Sequence, residues 1–433
     1  MIKFRKLTSL LLCISMLLAL LAGCSAASTT TAAPGAAETT AASAAASETT
    51  AAAGGKLTLM TIDTTFGEAF DKYIADAEKA TGIDIEVIAM PSNPDDRQAK
   101  VTTILSSGDD SVDILTLNDE MISAFKTTGF LEPVQNDVLT PDVLKFFPET
   151  YIKDMLMVGD QIYSVPMFME ILAMWINEQK VKETGLAVPT TQEEFLAFVK
   201  AATKDGNFGY GGAWEKTYVF NEIGTFVNLF GGDYYDWTNP KSKAAVQFLY
   251  DLAKDGYTPK AQLADIYDPM MQKFFDGKYG SLIMYTGAMQ TFLDSGKYGP
   301  DGIHLIPMPK FETKSAYMAT WQYALNAASK NKDAAKKFLQ YAASAEGSKA
   351  YFEMSNRLPA RSDVLNAPDF KAEGLDVIRD YLNNATLRGR PMVPQSMEFI
   401  SAMGSLFQQY ISDEITLDDF CAKAQAEVDR YKP

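Results

Sequence analysis

Three of the four tryptophans, Trp214, Trp237 and Trp321, stand beside glycine or polar residues rather than inside an apolar repeat. Flat indole rings in such places can stack on the C–H faces of a sugar, provided carboxylates, amides or arginines are fixed nearby to take the hydroxyls. Trp214 lies in Gly211-Gly212-Ala213-Trp214-Glu215-Lys216 and Trp237 in Gly231-Gly232-Asp233-Tyr234-Tyr235-Asp236-Trp237. Trp175, within Ile171-Leu172-Ala173-Met174-Trp175-Ile176, reads as core. Taken singly, each of the other rings is explained as well by core packing as by ligand contact.

The reactive inventory is thin. His304 is the only histidine and sits in the apolar run Gly302-Ile303-His304-Leu305-Ile306. A Ser-His-Asp or Cys-His arrangement would need that one imidazole, and zinc sites of His and Cys fail by count. No phosphate-binding Gly-x-x-x-x-Gly-Lys-Ser/Thr loop occurs, and Gly209-Tyr210-Gly211-Gly212 does not continue into a dinucleotide fingerprint. A carboxylate pair for glycoside hydrolysis is always available among 55 acids, so its presence carries no information. Tyr234-Tyr235 resembles paired ferric-ligand tyrosines, but a Gly-Gly-Asp turn beside aromatic packing explains it. The expectation is no catalytic residue, no metal and no cofactor.

Three cations, Lys3, Arg5 and Lys6, precede an apolar run from Leu7 to Ala22, about the length of a secretory leader core. Leu21-Ala22-Gly23-Cys24 resembles a bacterial lipobox, which would cleave after residue 23 and lipidate Cys24. Residues 25–55 are almost entirely Ala, Thr, Ser and Gly. Such a stretch buries too little apolar surface to order itself and reads as a tether with a reach on the order of 30 Å. Cys13 lies in the leader and Cys24 takes lipid, so Cys421 is left alone, without an intramolecular disulfide partner, as a small core residue.

The elements that must position the aromatic and polar residues begin at Lys56. Lys56–Thr61, Ile83–Met90, Val112–Leu117, Ser281–Thr286 and Ile303–Pro307 read as strands. Between the first two, Phe66, Phe70, Tyr73, Ala77 and Ala80 mark a helical stripe closed by Gly82. Thr191 and Glu194 form a capping box ahead of Phe195, Phe198, Val199 and Ala202. The rhythm implies an α/β fold with largely parallel sheets, and the length exceeds what one core usually holds. The chain carries −16, and losing the three leader cations leaves −19, which argues against nucleic acid or anionic lipid as a partner.

Residues 56–433, read in order, resemble the extracellular solute-binding proteins, family 1, of ABC importers. Gln161-Ile162-Tyr163-Ser164-Val165-Pro166, Trp175-Ile176-Asn177, Pro189-Thr190-Thr191-Gln192-Glu193-Glu194-Phe195, Phe274-Phe275-Asp276-Gly277-Lys278-Tyr279-Gly280 and Ala327-Ala328-Ser329-Lys330-Asn331-Lys332-Asp333 carry the likeness. It implies a two-lobed fold of the periplasmic-binding-protein kind, with hinge strands between lobes and a ligand cleft at their interface. Its divisions would be a leader at 1–23 and the lipidated Cys24 with its tether at 24–55. An N-terminal lobe would span 56–165 and 311–350, and a C-terminal lobe 166–310 and 351–433. Hinge crossings fall near Val165–Met167, near Pro307–Phe311, and after the helix containing Phe338.

By position, the resemblance puts Asp63, Asp119, Glu120, Glu170 and Tyr285 on the cleft, with Trp321 as the stacking ring; Trp214 and Trp237 stay candidates for ligand contact on their glycine and polar neighbours alone. Gly287-Ala288-Met289 stands where relatives carry Gly-Pro-Trp, which removes one ring. Arg357, before Leu358-Pro359, either clasps a carboxylate or hydroxyl pair on the ligand or pairs with a surface acid. The implied protein is a monomeric lipoprotein on the outer face of the cytoplasmic membrane, of Gram-positive type. It would capture a small-molecule solute, a mono- or oligosaccharide, and deliver it to ABC permease subunits. A polyamine, cation complex or peptide-like cargo, a surface glycoside hydrolase or lyase, and a sensor subunit are the alternatives.

Overall fold

The computed structural model describes residues 55–431; the leader, Cys24 and the Ala/Thr/Ser segment up to residue 54 lie outside the described residues. Strands β1 (Lys56–Thr61), β2 (Asp84–Ala89) and β3 (Ile114–Asn118) lie parallel, with β1 between the other two. Helix Glu68–Thr81 joins β1 to β2 and buries Phe70, Tyr73, Ile74 and Ala77, the stripe its spacing announces. Gly82 ends it at φ 70°, a conformation that costs a residue with a Cβ about 1 kcal/mol or more. Helix Pro94–Ser107 packs Val101, Ile104 and Leu105 against Met60, Leu115 and Leu117 on the other side.

The rest of the sheet comprises β4 (Ser164–Asn177), β5 (Phe208–Tyr210), β6 (Tyr279–Tyr285), β7 (Ile303–Ile306), β8 (Ser315–Leu325) and β9 (Thr386–Gly389). Strand order is β2-β1-β3-β8-β4-β6-β5, with β9 paired to β8 and β7 to β4. Strand β4 gives its first part, Ser164–Ile171, to β8 and its second, Leu172–Asn177, to β6 and β7. Strand β8 pairs through Trp321–Leu325 with β3 and through Ser315–Met318 with β9. These two long strands weld the halves, and both run antiparallel to their neighbours except at β8–β9. The expectation of largely parallel sheets therefore holds for the outer pairs and fails at the centre. There the chain goes directly from one half to the other instead of returning through a helix.

The expected lobe boundaries shift for a physical reason. Phe311 is still inside the second half's aromatic core, with ring centroids 5.6–6.0 Å from Phe195, Phe226, Phe230 and Phe248. The chain therefore crosses along β8 and not at 307–311. Residue 351 lies within helix Ala345–Ser355, which packs on helix Glu68–Thr81 and sets Tyr351 edge-on to Tyr73 at 5.6 Å. That helix belongs to the first half. In the second half, Thr191 caps helix Gln192–Ala202 by accepting from the Glu194 N–H, while the Glu194 carboxylate takes the Thr190 N–H. Cys421 is buried in helix Leu417–Tyr431, its thiol pushed up to about 11 by burial. Among the described residues no helix is long and apolar enough to cross a membrane.

Candidate binding cleft

The turn after β1 carries Asp63 into a site with no solvent exposure. The Tyr351 hydroxyl donates to both its oxygens at 3.2 Å, and Arg357 Nη1 stands 3.8 Å away. Burial pushes the carboxyl up to about 6, with Arg357 and Tyr351 pulling the other way. The Arg357 guanidinium lies over Phe168 at 4.6 Å and Phe66 at 5.4 Å, and its Nη1 is buried without a hydrogen-bond partner. Arg357 faces an acid of its own chain, but a fully buried one and not the surface acid expected, and its Nη1 keeps no hydrogen-bond partner.

Strand period places Phe168 and Glu170 on the same face of β4. Glu170 is the only residue of that strand not fully buried. A methyl on Gly287 would overlap Glu170 Oε1, so the glycine makes room for this carboxylate. Burial raises its pKa, while Arg357 and Arg390 lower it. Glu170 thus sits between two guanidiniums.

The second of these organises a cluster at the end of β3. Asn118 caps helix Asp119–Phe125 by accepting from the Met121 N–H, which fixes Asp119 and Glu120 in the first turn. Arg390, just beyond β9, holds Asp119 with both Nε (2.8 Å) and Nη2, and Glu120 Oε1 at 2.9 Å. Its Nη1 donates to the Tyr285 hydroxyl at 2.9 Å, and Tyr285 donates on to Asn221 Oδ1 at 3.2 Å. Burial drives Glu120 upward against the pull of Arg390, and its Oε2 is buried with no partner. The Arg390 side chain is 7% exposed, so the ion pairs are shielded from water.

Trp321 pairs with Asn118 on β3 and Phe168 on β4, between the two clusters, and is half-buried. The Arg97 guanidinium covers its ring at 5.2 Å and keeps a buried, unpartnered Nε. Asp63, Asp119, Glu120, Glu170, Tyr285, Trp321 and Arg357 are therefore brought together around the strand crossing.

Trp214 and Trp237 are not. Trp214 has no exposure and meets Phe407 edge-on at 5.3 Å; Trp237 is 1% exposed and meets Phe420 edge-on at 5.2 Å. An enclosed ring offers no face to a solute, so both are corrected to core residues. Trp175 is core as expected, stacked on Phe292 at 4.0 Å. Arg97, Asn221 and Arg390 went unread. Arg388-Gly389-Arg390-Pro391, two cations about a glycine in an acidic chain, was the visible signal.

Carboxylates and guanidiniums with free hydrogen-bonding capacity around one indole, where two halves of a sheet join, are the equipment of a binder of polar solutes. The sequence pattern of the bacterial extracellular solute-binding proteins matches residues 63–349. The chain belongs to that family. A galactooligosaccharide-binding protein of Bacillus subtilis is 23% identical over 68% of this chain and 70% of its own. A probable amino-acid ABC transporter periplasmic-binding protein of Sinorhizobium fredii is 24% identical over 73% and 75%. The solved maltose-bound MalE3 of T. maritima has the same two-lobed fold, with TM-score 0.73 and 20% identity, covering 87% of this chain and 99% of that one. For an extracellular solute-binding protein, the long shared strands β4 and β8 are where one half can pivot on the other.

Proposed function

We propose that the chain captures a carbohydrate in the cleft at the strand crossing and delivers it to membrane permease subunits of an ABC importer. The observation that carries this is the convergence of Asp63, Glu120, Glu170 and Arg357 around Trp321, with acceptors and donors both left unpaired. A sugar hydroxyl gives and takes a hydrogen bond at once, so it satisfies both kinds. The name of the Bacillus relative supports the same class of solute. Capture works by differential affinity: the solute touches both halves, favours the closed form and shifts the population toward it. The work is binding, without turnover of the solute.

In this reading residues 1–23 are removed, Cys24 carries lipid, and the tether holds a monomeric body at the outer face of the cytoplasmic membrane, where it meets the permease at raised local concentration. A second reading, a charged non-sugar solute, is supported by Arg97, whose guanidinium lies over the Trp321 ring at 5.2 Å. Thermal unfolding of the purified protein with sugars, sugar acids, polyamines and amino acids separates the two. A solute at 100 times its dissociation constant stabilises the native state by about 2.7 kcal/mol. Stabilisation by one sugar family, lost in Trp321→Ala, is expected. A flat response to sugars with a rise for an amine or amino acid would overturn the carbohydrate assignment.

A further inference from the structure

Beside Arg390 a second, half-open cavity of about 360 Å³ lies at the crossing, lined by none of Asp63, Glu170, Trp321 or Arg357. Both halves build it: Ser123 of helix Asp119–Phe125 and Lys126 just after it on one side, Asn228 and Tyr234 on the other. Asn228 and Tyr234 are 6% and 3% exposed, and the Asn228 amide nitrogen and the Tyr234 hydroxyl are both buried without a hydrogen-bond partner. Buried polar groups are nearly always paired in folded proteins, so two orphans on residues that line one cavity mark a place where a small side-chain movement would let something else complete them.

Charge narrows what that is. Lys126, Arg388 and Arg390 face the cavity with Asp119, Asp154 and Asp233, three charges of each sign. A lining without net charge gives no preference to an ion. It suits a neutral solute rich in groups that both donate and accept. Tyr235 and Tyr317 add ring surface to the wall, and the volume lies in the range of small-molecule sites. We propose that this cavity is a second site that takes one neutral sugar or other small polyol. It is joined to the cleft through Asp119 and Arg390, which belong to both. Because its walls come from both halves, an occupant here bears on the same pivot as the cleft solute. The inference does not depend on which solute the cleft takes.

The test is ¹⁹F NMR on protein labelled with fluorotyrosine and fluorotryptophan, titrated with D-galactose. Tyr234→Phe assigns the cavity resonance and Trp321→Ala the cleft resonance. The decisive titration uses the Trp321→Ala/Glu170→Gln protein, in which the cleft is disabled. A saturable shift of the Tyr234 resonance there, abolished by Asn228→Ala or Lys126→Gln in folded protein, is the expected result. A Tyr234 resonance that stays still, or moves equally in both cavity variants, overturns the inference, and water alone then fills the cavity. A shift at Trp321 without one at Tyr234 in the unaltered protein leaves the cleft reading standing and this one fallen. A shift at Tyr234 without one at Trp321 does the reverse.

Discussion

Glu222 is 4% exposed in the second half's core, one residue beyond the cleft-facing Asn221. Tyr210 donates to its Oε1 at 2.9 Å, and the Trp214 indole N–H faces the same group. Burial pushes the carboxyl from 4.5 up to about 8, so the folded protein holds a neutral Glu222 at pH 7 while the unfolded chain ionises. The folded state therefore binds more protons, and this group removes stability as pH rises from 4.5, until the folded form ionises as well near 8. With 1.36 kcal/mol per unit, the loss relative to acid is about 1 kcal/mol at pH 5 and about 3 kcal/mol at pH 7. Glu222→Gln keeps the shape, lets its amide donate to Tyr210 and removes the titration. Urea unfolding of both proteins from pH 5 to 7 should show the variant gaining on the parent by about 2 kcal/mol across that range. A stability difference that does not change with pH, or one that moves against the variant as pH rises, would refute the reasoning.

Arg390→Met should destabilise by about 3–5 kcal/mol in urea, because Asp119 and Glu120 stay buried without their cation, and adding Asp119→Asn should recover part of the loss. Gly287→Ala should displace Glu170 and weaken the cleft solute by about tenfold or more in titration calorimetry, the worth of one hydrogen bond to a charged group. Trp214→Phe should cost on the order of 1–2 kcal/mol of stability and leave solute affinity unchanged, separating its core role from a binding one. Tyr285→Phe should raise the open fraction of solute-free protein about tenfold or more in scattering profiles, as expected for one hydrogen bond to a charged group removed between the halves.

The outer strands and their helices were legible because local pattern decides them: an apolar stripe and a closing glycine specify Glu68–Thr81 whatever lies around it. The crossing strands were not, because β4 and β8 are buried almost throughout and carry no alternation from which to read a face or an end. That is also why the boundary at 310/311 missed Phe311, whose place is set by three helices distant in sequence. Asp63 and Asp119, read from their positions at strand ends, do lie at the strand crossing. Trp214 and Trp237 were misassigned because a neighbouring glycine marks close approach equally well in a loop and in a core. Gly212 is a case in point: a methyl there would overlap the Glu222 carboxylate beside Trp214. Arg97 and Arg390 act through partners 23 and 271 residues away, Glu120 for one and Asp119 for the other, and no local pattern encodes such pairings.

Arg390 decides how the cleft can open if capture proceeds by movement of the halves. Its guanidinium grips Asp119 and Glu120 on the first half and Tyr285 and Asn221 on the second. The two grips are unequal. All four contacts start from a charged donor, but those to Asp119 and Glu120 join opposite charges, one of them bidentate, whereas those to Tyr285 and Asn221 meet neutral acceptors and are weaker. The weaker contact, to Asn221, is already stretched to 3.5 Å. Separation should therefore run between Arg390 and Tyr285, leaving the cation with its acids, so that opening never exposes a bare buried charge. That choice keeps the barrier within reach of a solute's binding energy, since no ion pair is broken. It also fixes the polarity of the open cleft: the first half keeps a neutralised acidic end, while the second presents the freed Tyr285 hydroxyl and Asn221 amide to the incoming solute.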